Sequence, residues 1–283
     1  MTPSDTTRTG WQRLGTISPT ALVAARLELH YAAQIPAALG IARARPTADF
    51  AQHALTWDAA QRALVSAPTQ GRAPHRAGLR LADRTLLVLD GNGGESARLA
   101  LDGRTLHEAL DWLAETSARV SGERLQPLAL PEHELPAHPL ASGARFGTSP
   151  RAELAEIAHW YGNLAEVLAA QRQGSDASPV RVWSHHFDLD SVLQLGGERT
   201  LGLGFSPGDD SYAEPYCYVL PTPYPDEHAL PTAVVPAEWV TDGWIGAVLR
   251  GSKLTSVAAS AQAETVARFY RSAIEVLRSL LRA

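Results

Sequence analysis

Thr85-Leu86-Leu87-Val88-Leu89-Asp90-Gly91-Asn92-Gly93-Gly94-Glu95-Ser96-Ala97-Arg98-Leu99-Ala100-Leu101 reads as two strands around a tight turn. Thr85–Leu89 is a short apolar run, and Asp90 to Gly94 are residues that tolerate positive φ. In Ala97–Leu101, Leu99 and Leu101 alternate with Arg98 and Ala100, which predicts one covered face and one wetter face. Upstream, Ala54–Trp57, Ala63–Ser66 and Leu79–Ala82 are similar short runs. Together these segments predict an antiparallel meander.

Helical signals flank it. Downstream, Thr105 and Glu108 form a Thr-x-x-Glu capping box, after which Leu106, Ala109, Leu110 and Leu113 share one helix face. Upstream, Ser18-Pro19 is a cap-and-first-turn pair, Leu22, Val23, Leu27 and Ile35 share a side, and Pro36 is expected to kink or end that helix. Residues 18–122 therefore read as a helix, meander, helix half behind a tail, 1–17. Residues 123–149 contain Pro127, Pro131, Pro136 and Pro139 and read as an extended connection. The second half, 150–283, repeats the order. Ser149-Pro150 opens a helix with Leu154, Ile157, Tyr161, Leu164 and Leu168 at alternating spacings of three and four. Strands are expected at Val180–Phe187, Val192–Leu195, Thr200–Phe205 and Tyr216–Leu220, with Trp244–Leu249 as a further buried segment. A last helix is expected from about Val257 to Leu281. The fold class is α+β, an antiparallel sheet or sheets with flanking helices, as two similar halves or one continuous sheet.

Composition excludes several chemistries. With 45% hydrophobic and 19% charged residues the 283-residue chain is globular. A net charge of −5 argues against a nucleic-acid partner. Cys217 is the only cysteine, which excludes an intramolecular disulfide, an iron–sulfur cluster and a multi-thiolate zinc site. No secretory signal and no apolar run of about 18 residues occurs, so a cytoplasmic protein without membrane contact is expected. Lys253 is the only lysine, and Arg250-Gly-Ser-Lys253 lacks the spacing of a phosphate cradle. Gly204-Phe205-Ser206-Pro207-Gly208 matches the letters of a hydrolase nucleophile elbow, but Pro207 has no N–H to give an oxyanion hole. Gly202 and Gly204 read instead as a smooth strand face under an aromatic ring.

The densest polar cluster is Trp183-Ser184-His185-His186-Phe187-Asp188-Leu189-Asp190. Read as one strand, it places His186, Asp188 and Asp190 on one face with Ser184, and Trp183, His185 and Phe187 on the other, so the two histidines would not act together. His186 and Asp188 then suit a divalent metal, or a base with its orienting carboxylate; the alternative is a polar strand edge facing water. Downstream, Asp209, Asp210 and Glu214 add three carboxylates, giving His186, Asp188 and Asp209 as a metal set and His186, Asp188 and Glu214 as a catalytic set. The alternative there is turn chemistry, with Asp side chains bonding backbone amides. Between Ser206 and Pro236, seven prolines in 31 residues mark a covering or binding loop. Its aromatics, Tyr212, Tyr216, Tyr218 and Tyr224, with Trp239 and Trp244, read as pocket walls or as a cluster pinning the loop.

The segments Arg181–Asp188, Gly202–Asp209, Glu214-Pro215-Tyr216 and Gly243–Ala247 resemble elements of an uncharacterised family of bacterial proteins, as do Leu29–Gln34 and Leu55–Asp58. The resemblance covers most of the chain. It implies one integrated unit and a shared site for His186, Asp188, Asp209 and Glu214, and it implies no activity or cofactor. His30 and Gln34, one turn apart on the first helix, could line the same pocket, and Trp183, Tyr216 and Trp244 complete the candidate ligand contacts. The expected function is binding of a small polar ligand or divalent metal beside the proline-rich loop, with hydrolysis or related proton transfer if it is catalytic. The alternative is an interaction protein whose aromatic loop meets a partner or a second copy.

Overall fold

The computed structural model describes residues 10–123, 126–232 and 236–282. The start of the expected tail, two residues of the 123–149 connection, three of the proline-rich loop and the final residue lie outside it. The first half contains α1 (Val23–Arg43), β1 (Ala54–Asp58), β2 (Ala63–Ser66), β3 (Arg76–Arg80), β4 (Thr85–Leu89), β5 (Glu95–Ala100) and α2 (Leu106–Ser121). The second contains α3 (Arg151–Gln171), β6 (Arg181–Trp183), β7 (Asp188–Gly196), β8 (Arg199–Ser206), β9 (Tyr216–Thr222), β10 (Glu238–Val240), β11 (Gly246–Arg250), the short α4 (Gly251–Thr255) and α5 (Ala259–Leu280). All strands join one antiparallel sheet in the order β10-β11-β9-β8-β7-β6-β1-β2-β3-β4-β5. The halves meet where β1 pairs with β6, Leu55 opposite Val182.

Register sorts the side chains. Leu55, Leu64, Leu79, Leu86, Val182, Leu189, Leu203, Val219 and Ala247 point to one face and join the helices in a single core. α1 shows why a stripe was hard to read from sequence. It packs against β1, β2 and β3 as well as α2 and α3, and it is buried nearly all round. The helix continues past Pro36, the residue expected to kink or end it, so it does not end there. Ser18 gives no side-chain cap to the 3-10 turn Pro19–Leu22 that precedes α1, and Val23 and Leu27 are only half-buried. The capping box of α2 has both arms: Glu108 N donates to Thr105 Oγ1 and Thr105 N to Glu108 Oε2. The expected strand Leu79–Ala82 starts earlier, at Arg76, and turns into a 3-10 turn at Leu81.

Buried polar groups tie distant segments together. Glu28 on α1, 1% exposed, accepts N–H groups of Gly147 and Ser149 and the Arg84 guanidinium. Residues 11–16, expected as tail, are bound down. Gln262 exchanges two hydrogen bonds with the Leu14 backbone, and Glu156 accepts from Gly15 N at 2.6 Å. Among the described residues, no helix is long and apolar enough to cross a membrane.

Candidate functional site

The reverse face of the second half carries the chemistry, and a turn sets it up. Ser184–Phe187 is not strand but the loop of the β6–β7 hairpin, closed by Phe187 N donating to Trp183 O at 2.7 Å. Phe187 adopts φ +56° and drops its ring into the core. The strand alternation expected across this segment is therefore broken, and His185 and His186 lie side by side with ring centroids 4.3 Å apart. His133, from the proline-rich connection, approaches His185 at 5.9 Å.

His30 and Gln34 hold this turn from α1. Both donate to Ser184 O, His30 through Nε2 at 2.9 Å and Gln34 through Nε2 at 2.7 Å. The carbonyl can only accept, so Nε2 of His30 carries its proton. The His30 ring stacks on Phe187, and burial pushes its pKa down to about 4. Gln34 is buried and lines neither cavity described below, so it positions the turn instead of meeting a ligand. Burial, with His186, His133 and His53 nearby, lowers His185 to about 4.

After the turn, β7 lays Asp188 and Asp190 on the reverse face, opposite Ser206 and Gly204 of β8. Gly204 is there because Tyr218 lies over it: a Cβ would come within 2.1 Å of the ring. Tyr218 Oη donates to Asp188 Oδ2 at 2.6 Å. Asp188 Oδ1 is buried and has no hydrogen-bond partner among the described residues. Desolvation raises the Asp188 pKa, with Asp209 adding to the rise, while Tyr218 and His186 oppose it. Asp190 accepts from Trp183 Nε1 at 2.8 Å, and burial next to Asp188 pushes it up to about 6. Trp183 thus binds a carboxylate and does not line the groove.

Two adjoining cavities, of about 440 and 340 Å³, share His186, Asp209 and Ser211. The larger runs beneath Arg26 and His30 to Asp210. The smaller is lined by Asp188 and Ser206 with walls of Tyr216, Tyr218, Tyr224 and Trp244. Of the residues proposed from sequence, His186, Asp188, Asp209, Tyr216 and Trp244 meet in the smaller cavity, and His30 lines the larger. Asp209 also does the turn work considered for it: Oδ1 accepts from Ser211 N and Tyr212 N, and Oδ2 from Tyr216 Oη at 2.5 Å.

Two expectations change. Glu214 is not in the groove: its carboxylate accepts Ser252 N at 2.6 Å and Ser252 Oγ at 3.0 Å, capping α4. The set His186, Asp188 and Asp209 does not form a metal centre, because no group of three or more His, Cys, Asp or Glu among the described residues is placed to hold an ion. Asp188 and Asp209 spend oxygens on tyrosines instead. Arg26 and His133 were not proposed from sequence. Arg26 precedes His30 by one turn and interrupts an apolar run, a usable signal; His133 gave none.

Against family models, curated proteins and solved structures the chain gives no match.

Proposed function

We propose that this chain binds a small polar ligand in the groove beside the proline-rich loop, with Asp188 as the group that meets it. The observation that carries the reading is Asp188, which lines an aromatic-walled cavity and whose buried Oδ1 has no hydrogen-bond partner among the described residues. An unmet buried acceptor costs about 1–3 kcal/mol, and a ligand donor would recover it. Where the ligand is also a substrate, Asp188 and His186 are the pair for proton transfer: a carboxyl whose pKa burial raises, beside an exposed imidazole. The reaction class is then hydrolysis or a related proton transfer. Burial raises the Cys217 thiol to about 12, which leaves it inert and in keeping with a cytoplasmic protein.

A thermal-shift screen of polar small molecules, run on wild type, Asp188→Asn and His186→Ala at pH 7, tests this. A ligand that stabilises wild type should lose its effect in Asp188→Asn while both variants stay folded. Ligands that shift all three proteins equally would overturn the assignment. A second reading, association through the aromatic loop, rests on Tyr224, a large ring 51% exposed at the rim. Tyr224→Ser should then change the elution volume on a sizing column.

A further inference from the structure

Resting on that reading, we infer that the ligand group seated in the smaller cavity is an organic cation, an ammonium or amidinium on a compact apolar body. Three independent features favour charge of that sign. Asp188 offers a buried oxygen that accepts nothing from the described residues. Asp209 lines the same cavity as a second carboxylate, and Asp190 follows Asp188 on the same strand face. Among the described residues no arginine or lysine lines the cavity, and His186 is the one basic side chain that does.

The walls suit such a group. Tyr216, Tyr218, Tyr224 and Trp244 line it, and an aromatic face attracts a cation within about 6 Å. A carboxylate removed from water gains from a charged donor a Coulomb attraction that a neutral hydroxyl does not supply. An anionic ligand would meet desolvated carboxylates here. Arg26 lines only the larger cavity, and its charge is answered by Asp209 and Asp210. The volume, about 340 Å³, lies at the lower end of small-molecule sites, which limits the body to roughly the size of one ring and a short arm.

The test uses three probes of one shape and three charges: benzylammonium, benzyl alcohol and benzoate, titrated calorimetrically into the full chain at pH 7. Benzylammonium should bind at least about tenfold tighter than benzyl alcohol, and benzoate weakest, the ratio expected when one charge-assisted hydrogen bond is gained. Asp188→Asn, which keeps the side chain's shape, should weaken benzylammonium about tenfold or more and leave benzyl alcohol within about twofold. Benzyl alcohol or benzoate binding as tightly as benzylammonium would overturn the cation assignment and leave the polar pocket standing. If none of the three binds, and Asp188→Asn matches wild type across the thermal-shift screen, both readings fall.

Discussion

In the first half of the sheet the reverse face carries Ala63, Val65, Leu87 and Leu89, buried and clustered on one another. In the second half the corresponding strands carry Asp188, Asp190, Ser206, Tyr216 and Tyr218. The strand order outward from β1 and β6 is the same over the first four strands, and each half even keeps a glycine on its third strand with a neighbour's side chain against it. Val65 and Leu87 border Gly78, and Tyr218 covers Gly204. In the first half Gln61, in the β1–β2 turn, donates to Gly93 O in the β4–β5 turn. The second half adds pieces without a counterpart there: β10, α4 and the segments on either side of β9. The architecture can therefore seal this face with four small apolar side chains. Buried aspartates on the other half are not something the fold needs.

The strongest way to break that comparison is Leu87→Asp. A carboxylate at this fully buried apolar position, set among Ala63, Val65 and Leu89 with Arg98 across on β5, should cost at least about 3 kcal/mol and give a largely unfolded chain, read by urea denaturation. A loss under about 1 kcal/mol would mean the first half is no more closed than the second. The glycine pair gives the next largest effect. Gly204→Ala forces the Tyr218 ring away and with it the bond to Asp188, a loss of about 2 kcal/mol. Gly78→Ala, whose nearest neighbour is Val65 Cγ1 at 3.2 Å, should change stability by less than about 1 kcal/mol. Equal losses at the two sites would remove the argument that Tyr218 is clamped over Asp188.

Titration sharpens the contrast. Asp190 is raised to about 6 and Asp188 also rises, so each binds protons more tightly folded than unfolded. Their contribution is greatest below the ordinary carboxylate range and is lost as pH climbs, for Asp190 from about 4 to about 6. His30 has the opposite sign: lowered to about 4, it favours the fold above its ordinary value and is lost as pH falls toward 4. The two trends oppose one another in one window, and wild type should show a shallow pH profile there. Asp190→Asn keeps the acceptor for Trp183 and removes one trend. The variant should exceed wild type by about 1–3 kcal/mol at pH 7, with the gap closing below pH 4, in denaturation series at each pH. A constant gap at all pH values would show that Asp190 is not held out of water.

The sequence made the meander visible at Asp90–Gly94 and Thr105–Glu108, where local chemistry alone fixes a turn and a cap. It showed the start of α1 at Ser18-Pro19 but not which side is buried or its run past Pro36, because a helix packed on several sides has no single stripe, and it hid β10, a three-residue edge strand. At the site, Gly202 and Gly204 were readable as a floor for a ring. The histidine pair was misassigned because strand alternation was carried across a segment that Phe187 takes into positive φ. Nothing local to Ser184–Phe187 announces that turn; it is held from α1 by His30 and Gln34, some 150 residues away. Which carboxylates converge likewise depends on strand pairing, and so Glu214 could not be separated from Asp209 by spacing.

Glu214 supplies the smallest and most discriminating effect. It lies in the same loop as Asp209, yet its carboxylate faces α4, one of the pieces without a counterpart in the first half. Glu214→Gln retains an acceptor for Ser252 N but removes the charge at the helix start, so stability should fall by about 0.5–1 kcal/mol. Binding of benzylammonium should stay within about twofold of wild type, because the cap is made away from the cavity walls. Calorimetry on this variant beside Asp188→Asn separates the two carboxylates. If both variants weaken binding alike, α4 is part of the groove, and the added elements of the second half help to shape the site.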